Sequence, residues 1–425
     1  MIIRDLLELL EKKDLLFRVR REVDRRFELP TIMKMLDGSP VIFESVKGTD
    51  MPVVGNLCSS RDLVSMGLGI KRADLTRHLL GSIENPEEPA TVDGTEYVER
   101  EANLDSIPIP TYYPFDGGPY VTSGIVVAED SEFGLNASYH RGMVISGDRI
   151  VFRILQRDFD SYIERGLTDF AYCIGNPVSV LVAAAVSEDI SVSELSIANS
   201  LRPISLVRLE GHLVPRSEIV LLMRLTGEEH GEGPFLDLTE TPDIERPQRV
   251  AVVEKVFVME NPRFHALLPG GREHKTLMGM PREATIFREV SKVCEVEDVL
   301  VTDGGCSWLH GAVKIRRRRE EDPRNAIEAA FKGHRSMKHV FIVDEDIDIH
   351  RSDEIEWAMA TRFQGDRDVI TRRERGSSLD PSSDPETHVT TKMGFDLTIP
   401  WGRDPADFKR PEFPMEIDLD DYLSE

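Results

Sequence analysis

Hydrophobic and polar positions follow two different spacings along this chain. Near the N-terminus, Ile3, Leu6, Leu7 and Leu10 recur every three or four residues, which is the period of an amphipathic helix. A similar helical pattern occupies residues 353–362. The spacing therefore predicts a helix at each of these places.

Between about residues 120 and 300 the pattern changes to short segments rich in Val and Ile, separated by Gly, Asp and Pro. These segments predict strands at 123–127, 142–146, 150–155, 178–186, 218–225 and 250–259. Their number and spacing predict a β-barrel or a sandwich. The longest apolar run, 178–186, reads as a buried strand and is too short to span a membrane, so no membrane partner is expected.

The flanking regions have a different texture. Before residue 110, a short strand at 41–43 is followed by a helix start for which Ser60 is the candidate N-cap. After residue 300, a buried strand at 340–343 and the helix at 353–362 indicate α/β structure. Residues 374–388 are rich in Gly, Ser, Pro and Asp and predict a loop. The whole pattern predicts a multidomain protein of α+β and α/β type.

Length and charge narrow the functional class. The 425 residues suffice for two or three domains. A formal net charge of −24 argues against a nucleic-acid partner, although a local arginine cluster can still bind a small anion. The four cysteines form no CxxC pair, which argues against a zinc site or a disulfide framework and favours a reducing cytoplasm.

Polar residues cluster at the end of one predicted strand. Asn136 and Arg141 are five residues apart, which puts them on opposite faces of a regular strand. They can serve one site only if the backbone bends, as Ser138 and its polar neighbours permit. Glu194 stands at a predicted helix start, either as a partner of the helix dipole or, with an Asn136 oxygen, as a ligand for a hard cation. Taken alone, residues 136–141 are better explained as a polar strand end, and Glu194 as a helix cap or dipole partner, than as parts of a functional site.

Glu232 and Asp237 flank a Gly-Pro turn. Two carboxylates that face one pocket repel each other, which suits one of them to hold a proton for donation. A solvated acidic loop is the alternative, because four more acidic residues lie close by in the sequence: Glu228, Glu229, Glu240 and Asp243.

Taken in order, these segments resemble the UbiD family of decarboxylases. The family's short motifs are matched at 116–122 (DGGPYVT), 136–141, 193–202, 232–237, 305–306, 343–348, 357–358, 361–362 and 392–396. The resemblance covers nearly the whole chain. Each motif is weak alone, and it is their common order that carries the resemblance.

The resemblance implies a decarboxylase of an unsaturated carboxylic acid that uses prenylated FMN. It implies that Asn136 and Glu194 ligate a Mn²⁺-type ion, which also grips the cofactor phosphate. It further implies a catalytic set of Arg141, Glu232 and Asp237, with Asp237 as the proton donor. The implied cofactor contacts are Tyr139, His140, Arg141, Arg153, Ile154, Leu155, Asp158 and Phe159.

The family fold implies an N-terminal α+β domain over 1–115, a split β-barrel of the flavin-reductase type over 116–300, and a C-terminal α/β domain over 301–425. It also implies a homo-oligomer, and a flavin prenyltransferase that supplies the cofactor. Two departures are visible. Arg157 stands where many members carry a metal-binding His, so the metal site is simpler or Arg157 meets a phosphate directly. Leu236 replaces the usual Gly before the last acid, which alters the turn.

The chain resembles the archaeal branch of the family. That branch implies the conversion of trans-anhydromevalonate 5-phosphate into isopentenyl phosphate and CO2 in a mevalonate pathway. Two alternatives remain: decarboxylation of a hydroxybenzoate-type acid in quinone biosynthesis, and a flavin-binding split barrel without decarboxylase activity, against which the intact catalytic set argues. A phosphorylated substrate needs nearby positive charge, for which the sequence offers four candidates without a choice among them: His140, Arg157, Arg272 and Lys275.

Overall fold

A computed structural model describes residues 1–411, 415, 417–418 and 420–423 of the chain. Helices and strands alternate irregularly along it. The helices are α1 (Ile3–Lys12), α2 (Glu28–Met35), α3 (Arg61–Leu68), α4 (Leu75–Glu84), α5 (Asp158–Glu164), α6 (Val178–Ala183), α7 (Glu194–Leu201), α8 (Arg272–Ser291), α9 (Asp322–Gly333), α10 (Ser352–Arg362) and α11 (Asp420–Leu423). Among the described residues, none of these helices has the length and apolar character needed to cross a bilayer.

The strands form five separate sheets in the described part of the chain. They are β1 (Phe17–Val19), β2 (Val41–Phe43), β3 (Val53–Gly55), β4 (Ala90–Val92), β5 (Tyr97–Arg100), β6 (Tyr120–Val121), β7 (Ile125–Asp130), β8 (Gly134–Tyr139), β9 (Gly142–Ser146), β10 (Arg149–Phe152), β11 (Asp169–Ile174), β12 (Ser205–Leu209), β13 (His212–Pro215), β14 (Ile219–Glu232), β15 (Phe235–Leu236), β16 (Pro242–Asp243), β17 (Arg246–Met259), β18 (Phe264–Ala266), β19 (Glu295–Val301), β20 (His310–Arg316), β21 (His339–Val343), β22 (Val369–Arg375) and β23 (Val389–Asp396).

The N-terminal region confirms the local sequence predictions. The apolar stripe of α1 is buried. Helix α3 begins after Ser60, whose hydroxyl accepts a hydrogen bond from the backbone N–H of Leu63 at 3.2 Å. Strands β1, β2 and β3 form a small sheet together with β18, which comes from much later in the chain. This late strand fastens the N-terminal region to the central part of the protein.

A nine-stranded sheet occupies the centre of the molecule. Its strands run in the order β6-β9-β10-β17-β14-β11-β7-β8, and β5 pairs with the far end of β17. All of these pairings are antiparallel, and the 14-residue strands β14 and β17 form the longest ladder. The two ends of the order, β6 and β8, do not pair with each other in the described residues, so the sheet is not closed. The predicted strand-rich centre is confirmed, but the split barrel is not.

The strand predicted at 178–186 is wrong. Residues Val178–Ala183 form the short helix α6, with every side chain buried, and α6 packs among α3, α7 and α8. A short helix that is surrounded on all sides is apolar at nearly every position, and so is a buried strand. Hydrophobic periodicity therefore does not distinguish the two. The segment that follows, residues 184–187, lines the main cavity of the protein.

The C-terminal region is a five-stranded mixed sheet in the order β19-β20-β21-β23-β22. Helices α8 and α9 cover one face with a cluster that includes Ile286, Ile327 and Val340. Helix α10 covers the other face, where Ala358 packs near Val343. Alternate strand residues are thus buried on opposite faces, as in an α/β layer. The loop predicted at 374–388 joins β22 to β23, and most of it also lines the cavity.

Candidate active site

A cavity of about 1290 Å³ lies between the central sheet, α8 and the β22–β23 loop. Ordinary small-molecule pockets measure roughly 300–1,000 Å³, so this one has room for a large cofactor and a small substrate together. Every residue predicted for catalysis, metal binding or cofactor contact contributes to its wall except Glu232, which is fully buried.

Arg141 is the centre of the ionic network in this cavity. Strand β8 ends at Tyr139 and β9 begins at Gly142, so Arg141 lies in the short link between the two strands and not within a regular strand. Its Nε and Nη2 donate to the two carboxylate oxygens of Glu232 at 2.8 and 3.0 Å, and its Nη1 donates to Asp237 at 2.9 Å. The structure therefore brings Arg141, Glu232 and Asp237 together.

Asp243 is a fourth member of this network, which the sequence did not single out. Strand β15 pairs with β16 so that Leu236 lies opposite Pro242, and this hairpin carries Asp243 back beside Asp237. Asp243 accepts a hydrogen bond from Arg141 Nη2 at 2.7 Å and two from Arg246, at 2.7 and 2.6 Å. The acidic segment is thus not uniformly solvated. No signal in its composition separates Asp243 from its exposed neighbours.

Burial and pairing set the protonation of this network. Burial opposes the charge of Arg141, but the hydrogen bonds and charges of Glu232 and the neighbouring aspartates raise its pKa above the ordinary value. Burial would also raise the pKa of Asp243, yet its bonds to Arg246 and Arg141 hold that pKa well below the usual range. Tyr120 donates a further hydrogen bond to Glu232 at 3.0 Å. The guanidinium of Arg141 is therefore a permanent cation in a fixed place.

Asn136 and Glu194 meet at another part of the cavity wall. The side-chain amide of Asn136 lies 3.2 and 3.1 Å from the two Glu194 oxygens, and the Ala137 N–H donates to Glu194 at 2.9 Å. Ser138 donates to the Asn136 oxygen at 2.9 Å. Burial raises the pKa of Glu194 to about 8. A buried carboxylate beside an amide is a pair of hard oxygen donors that gains from a nearby cation.

The donor set tests the implied metal. No group of three or more His, Cys, Asp or Glu side chains that could hold a metal ion is found in the described part of the chain. The protein itself thus offers two ligands, Asn136 and Glu194. Small divalent ions are commonly held by one or two carboxylates and completed by ligand phosphates and water. The pair fits such an ion on condition that a phosphate group binds beside it.

The remaining predicted cofactor contacts form one side of the cavity. His140 is buried, and burial lowers its pKa to about 4, so the ring is neutral. One ring nitrogen of His140 lies 3.1 Å from the carbonyl oxygen of Arg153, and the ring packs against Phe159 at 5.0 Å between centroids. Ile154 and Leu155 contribute apolar surface to the same wall. Tyr139 donates to the carbonyl oxygen of Leu181 at 2.9 Å. Asp158 begins α5, and burial raises its pKa.

The four candidates for binding a substrate phosphate occupy different places. His140 and Arg157 line the cavity, whereas Arg272 and Lys275 do not. Arg272 lies beside Gly38 at the surface, and Lys275 pairs with Glu240 at 2.9 Å. The sequence did not predict the three cavity-lining residues of α8, which are His274, Met278 and Arg282. Residues 274, 278 and 282 are spaced four apart, so a helix places them on one face. The sequence does not indicate that this face of α8 points into the cavity.

Family models match almost the whole chain. They are the N-terminal domain, the Rift-related domain and the C-terminal domain of 3-octaprenyl-4-hydroxybenzoate carboxy-lyase (UbiD), over residues 7–83, 85–272 and 275–397. Anhydromevalonate phosphate decarboxylase of Methanocaldococcus jannaschii is 41% identical over 409 residues, covering 92% of this chain and 96% of that protein.

Two solved structures share the fold over the full length. The UbiD-class enzyme HmfF from Pelotomaculum thermopropionicum, in complex with FMN, has a TM-score of 0.95 and 35% identity, and the match covers 100% of both chains. An evolved dimeric form of HmfF, in complex with prenylated FMN, has a TM-score of 0.91 and 33% identity, covering 99% of this chain and 100% of that one.

Proposed function

The chain belongs to the UbiD family of carboxy-lyases, and from this we propose that it decarboxylates trans-anhydromevalonate 5-phosphate to isopentenyl phosphate with prenylated FMN as cofactor. The observation that carries the proposal is the position of Arg141, held by Glu232 and Asp237 in a cavity large enough for a flavin and a substrate. The identity of 41% to an anhydromevalonate phosphate decarboxylase supports this substrate.

Arg141 is proposed to orient the substrate carboxylate. A guanidinium recognises a carboxylate through two parallel hydrogen bonds, and Glu232 holds Arg141 from behind through such a pair. The ring of Phe235 lies 4.5 Å from the guanidinium carbon and supports one face of the group. These contacts fix the position of Arg141. The edge of the guanidinium that points away from Glu232 faces Asp237 and Asp243.

Asp237 is proposed to deliver the proton that replaces CO2. Asp237 accepts a hydrogen bond from Arg141 at 2.9 Å, which places its carboxyl group beside the proposed binding position of the substrate carboxylate. An arriving substrate carboxylate gives Arg141 a different partner, which releases Asp237 to take up a proton. Loss of CO2 then leaves an electron pair on the substrate carbon, and the proton of Asp237 forms the new C–H bond. Solvent restores the proton of Asp237 after each turnover.

The cavity wall fits a flavin. The apolar side chains Ile154, Leu155 and Phe159 can contact the rings of the cofactor, and neutral His140 lies beside them. Prenylated FMN would supply the electron sink that makes loss of CO2 possible. Two solved relatives hold FMN and prenylated FMN respectively. We propose that Tyr139, His140, Arg141, Arg153, Ile154, Leu155, Asp158 and Phe159 contact this cofactor.

A divalent cation of the Mn²⁺ type is proposed at Asn136 and Glu194. There it would balance the charge of Glu194 and of the cofactor phosphate. Arg157 stands at the rim of the cavity, and none of its side-chain nitrogens is paired with an acidic residue in the described structure. It is therefore available to the same phosphate in place of the histidine that many family members carry.

The domain limits 1–115, 116–300 and 301–425 are proposed on the same basis. The three family matches, with junctions at 83–85 and 272–275, support the division into three parts rather than these limits. The description of the central match as Rift-related is compatible with a barrel-like origin for the nine-stranded sheet. A homo-oligomer and a flavin prenyltransferase as cofactor supplier complete the proposal, and a dimeric relative supports the first.

The decisive experiment is a turnover assay with the protein purified without oxygen and reconstituted with prenylated FMN. Release of CO2 is measured from trans-anhydromevalonate 5-phosphate, from the same acid without phosphate, and from 4-hydroxybenzoate. The proposal expects the phosphorylated acid to be the best substrate. Preference for the hydroxybenzoate would overturn the substrate assignment in favour of an aromatic acid decarboxylase, and no CO2 from any acid would overturn the proposed activity.

A further inference from the structure

One face of α8 directs three successive side chains into the cavity. His274, Met278 and Arg282 all line it, and their spacing of four residues puts them in a row on one face of the helix. The row extends over eight residues, which is about 12 Å along the helix axis. It thus presents a neutral ring, an apolar chain and a cation in that order.

The two ends of the row differ in their surroundings. His274 lies near Arg141, Glu232 and Asp237, here called the triad. Burial lowers the pKa of His274 below the ordinary value, and the charges of Asp237 and Arg141 also act on it. The Gly270 N–H donates to His274 Nδ1 at 3.2 Å. Arg282 lies two helical turns away, beside the ring of Trp308 at 5.3 Å. The row therefore leads away from the triad.

Arg282 carries a guanidinium that the protein leaves partly unsatisfied. Its Nη2 donates to the carbonyl oxygen of Ala185 at 3.1 Å and to the Ser187 hydroxyl at 3.3 Å. Its Nε is buried and has no hydrogen-bond partner. No carboxylate pairs with it in the described structure. Burial and the charge of Arg157 lower the pKa of Arg282 to about 10, which means that they disfavour its charged form. An anion bound beside Arg282 would stabilise that charge and satisfy its free donors.

The other cavity arginines are used differently. Arg141 and Arg246 are neutralised by Asp243 and its neighbours, Arg153 Nε lies 3.9 Å from the same Asp243, and Arg249 is paired with Asp160. Arg157 and Arg375 also lack an acidic partner among the described residues, but both are exposed at the rim. Arg282 thus combines an inward position, partial burial and unused donors.

We propose that Arg282 binds the distal phosphate of the substrate while Met278 contacts its hydrocarbon chain. The inference rests on the proposed function, since that substrate has a carboxylate at one end, a short branched chain and a phosphate at the other. This order matches the order of triad, Met278 and Arg282 in the cavity. Arginine is suited to the role because its planar donors match the phosphate oxygens.

The first test is the kinetics of Arg282→Gln with two acids, trans-anhydromevalonate 5-phosphate and its dephosphorylated form. KM for the phosphorylated acid should rise about 10- to 100-fold, the range expected for a lost charge-assisted hydrogen bond. Turnover of the dephosphorylated acid should not change. Arg282→Lys should recover part of the loss, because it restores the charge without the planar donors. Equal losses with both acids would overturn the proposal.

Arg272→Gln is the matched control. Arg272 is on the same helix, is exposed at the surface beside Gly38 and does not line the cavity. Its removal should leave the preference for the phosphorylated acid intact. A preference that falls equally in this variant would show that α8 is merely destabilised, and would overturn the assignment of Arg282.

The second test measures binding without turnover. Calorimetry should show that wild-type protein binds isopentenyl phosphate better than isopentenol, and that Arg282→Gln loses this difference while its affinity for FMN is unchanged. Weaker FMN binding would assign Arg282 to the cofactor phosphate and overturn the inference. If wild type converts the phosphorylated acid and Arg282→Gln does so equally well, only the inference fails. If wild type does not convert it, the proposed function fails.

Discussion

At the scale of single residues, the site depends on how one guanidinium divides its donors. Arg141 bonds to Glu232, Asp237 and Asp243. The sequence was sufficient to predict the first two partners, because they belong to a recognisable motif. It was not sufficient for Asp243, whose position depends on the pairing of β15 with β16. A tertiary contact of that kind leaves no period or spacing in the sequence.

Asp237→Asn tests the proton donor. The amide keeps the shape of the carboxylate but has no proton to give, so turnover should fall by at least about two orders of magnitude. Cofactor affinity should stay the same, because Asp237 is not among the proposed cofactor contacts and an amide oxygen at this position can still accept the hydrogen bond from Arg141. The measurements are CO2 release and the incorporation of solvent deuterium into product. Deuterium incorporation at the wild-type rate would assign the donor role to another group.

Asn136→Ala and Glu194→Gln test the cation site. Asn136→Ala removes a hard oxygen ligand. Glu194→Gln removes the negative charge of the other ligand but keeps an oxygen that can accept from the Ala137 N–H. Each variant should bind FMN and Mn²⁺ more weakly, because the phosphate would lose its counter-ion. Titration of the apoprotein with FMN, with and without Mn²⁺, measures the effect. Glu129→Ala, an exposed change on β7, is the control. Undiminished, Mn²⁺-dependent FMN binding in both variants would contradict the ligand assignment.

At the scale of secondary structure elements, prediction succeeded where a pattern had one physical cause. Helix α1 has one buried face and α3 has a Ser60 cap, and both were predicted from these features. Helix α6 was predicted as a strand because a fully buried segment has no polar face to reveal its period. The inward face of α8 was missed for a related reason: its cavity side is as polar as a solvated one.

Gly279→Ala tests the close packing of α8. A methyl group at this position would overlap the carbonyl oxygen of Ser307, so the helix would have to move. We expect the free energy of unfolding to fall by about 1–3 kcal/mol, the usual cost of overpacking. The matched control is Gly81→Ala in α4, where a methyl group would meet nothing. That variant should gain about 0.5–1 kcal/mol from helix propensity. Denaturant unfolding measures both, and equal effects would contradict the packing argument.

At the scale of the whole molecule, the two main features are the pairing of strands that are far apart in the sequence and the net charge. Strand β18 completes the sheet of β1, β2 and β3, although about 200 residues separate it from β3. Of the four strands of this sheet, the sequence predicted only the one at 41–43, and it did not predict the pairing, because strand pairing leaves no local signal. The net charge of −24, by contrast, follows directly from composition.

Stability should depend on ionic strength. An excess of negative charge repels itself across the surface, and salt screens this repulsion. Raising sodium chloride from about 10 to about 150 mM shortens the screening length from about 30 to about 8 Å. The midpoint of thermal unfolding should therefore rise over this range. An equal osmolarity of glycerol serves as the uncharged comparison, and a midpoint that falls with salt would show that ion pairs outweigh the repulsion.

The β22–β23 loop has a consequence for the order in which the protein is made. It contributes Gly376, Leu379, Asp380 and His388 to the cavity wall, and a ribosome translates these residues after most of the chain. A nascent chain that has folded its central sheet still lacks this wall. The cavity is therefore complete only after this loop has been translated and has folded, and a cofactor enclosed by that wall cannot be held there earlier.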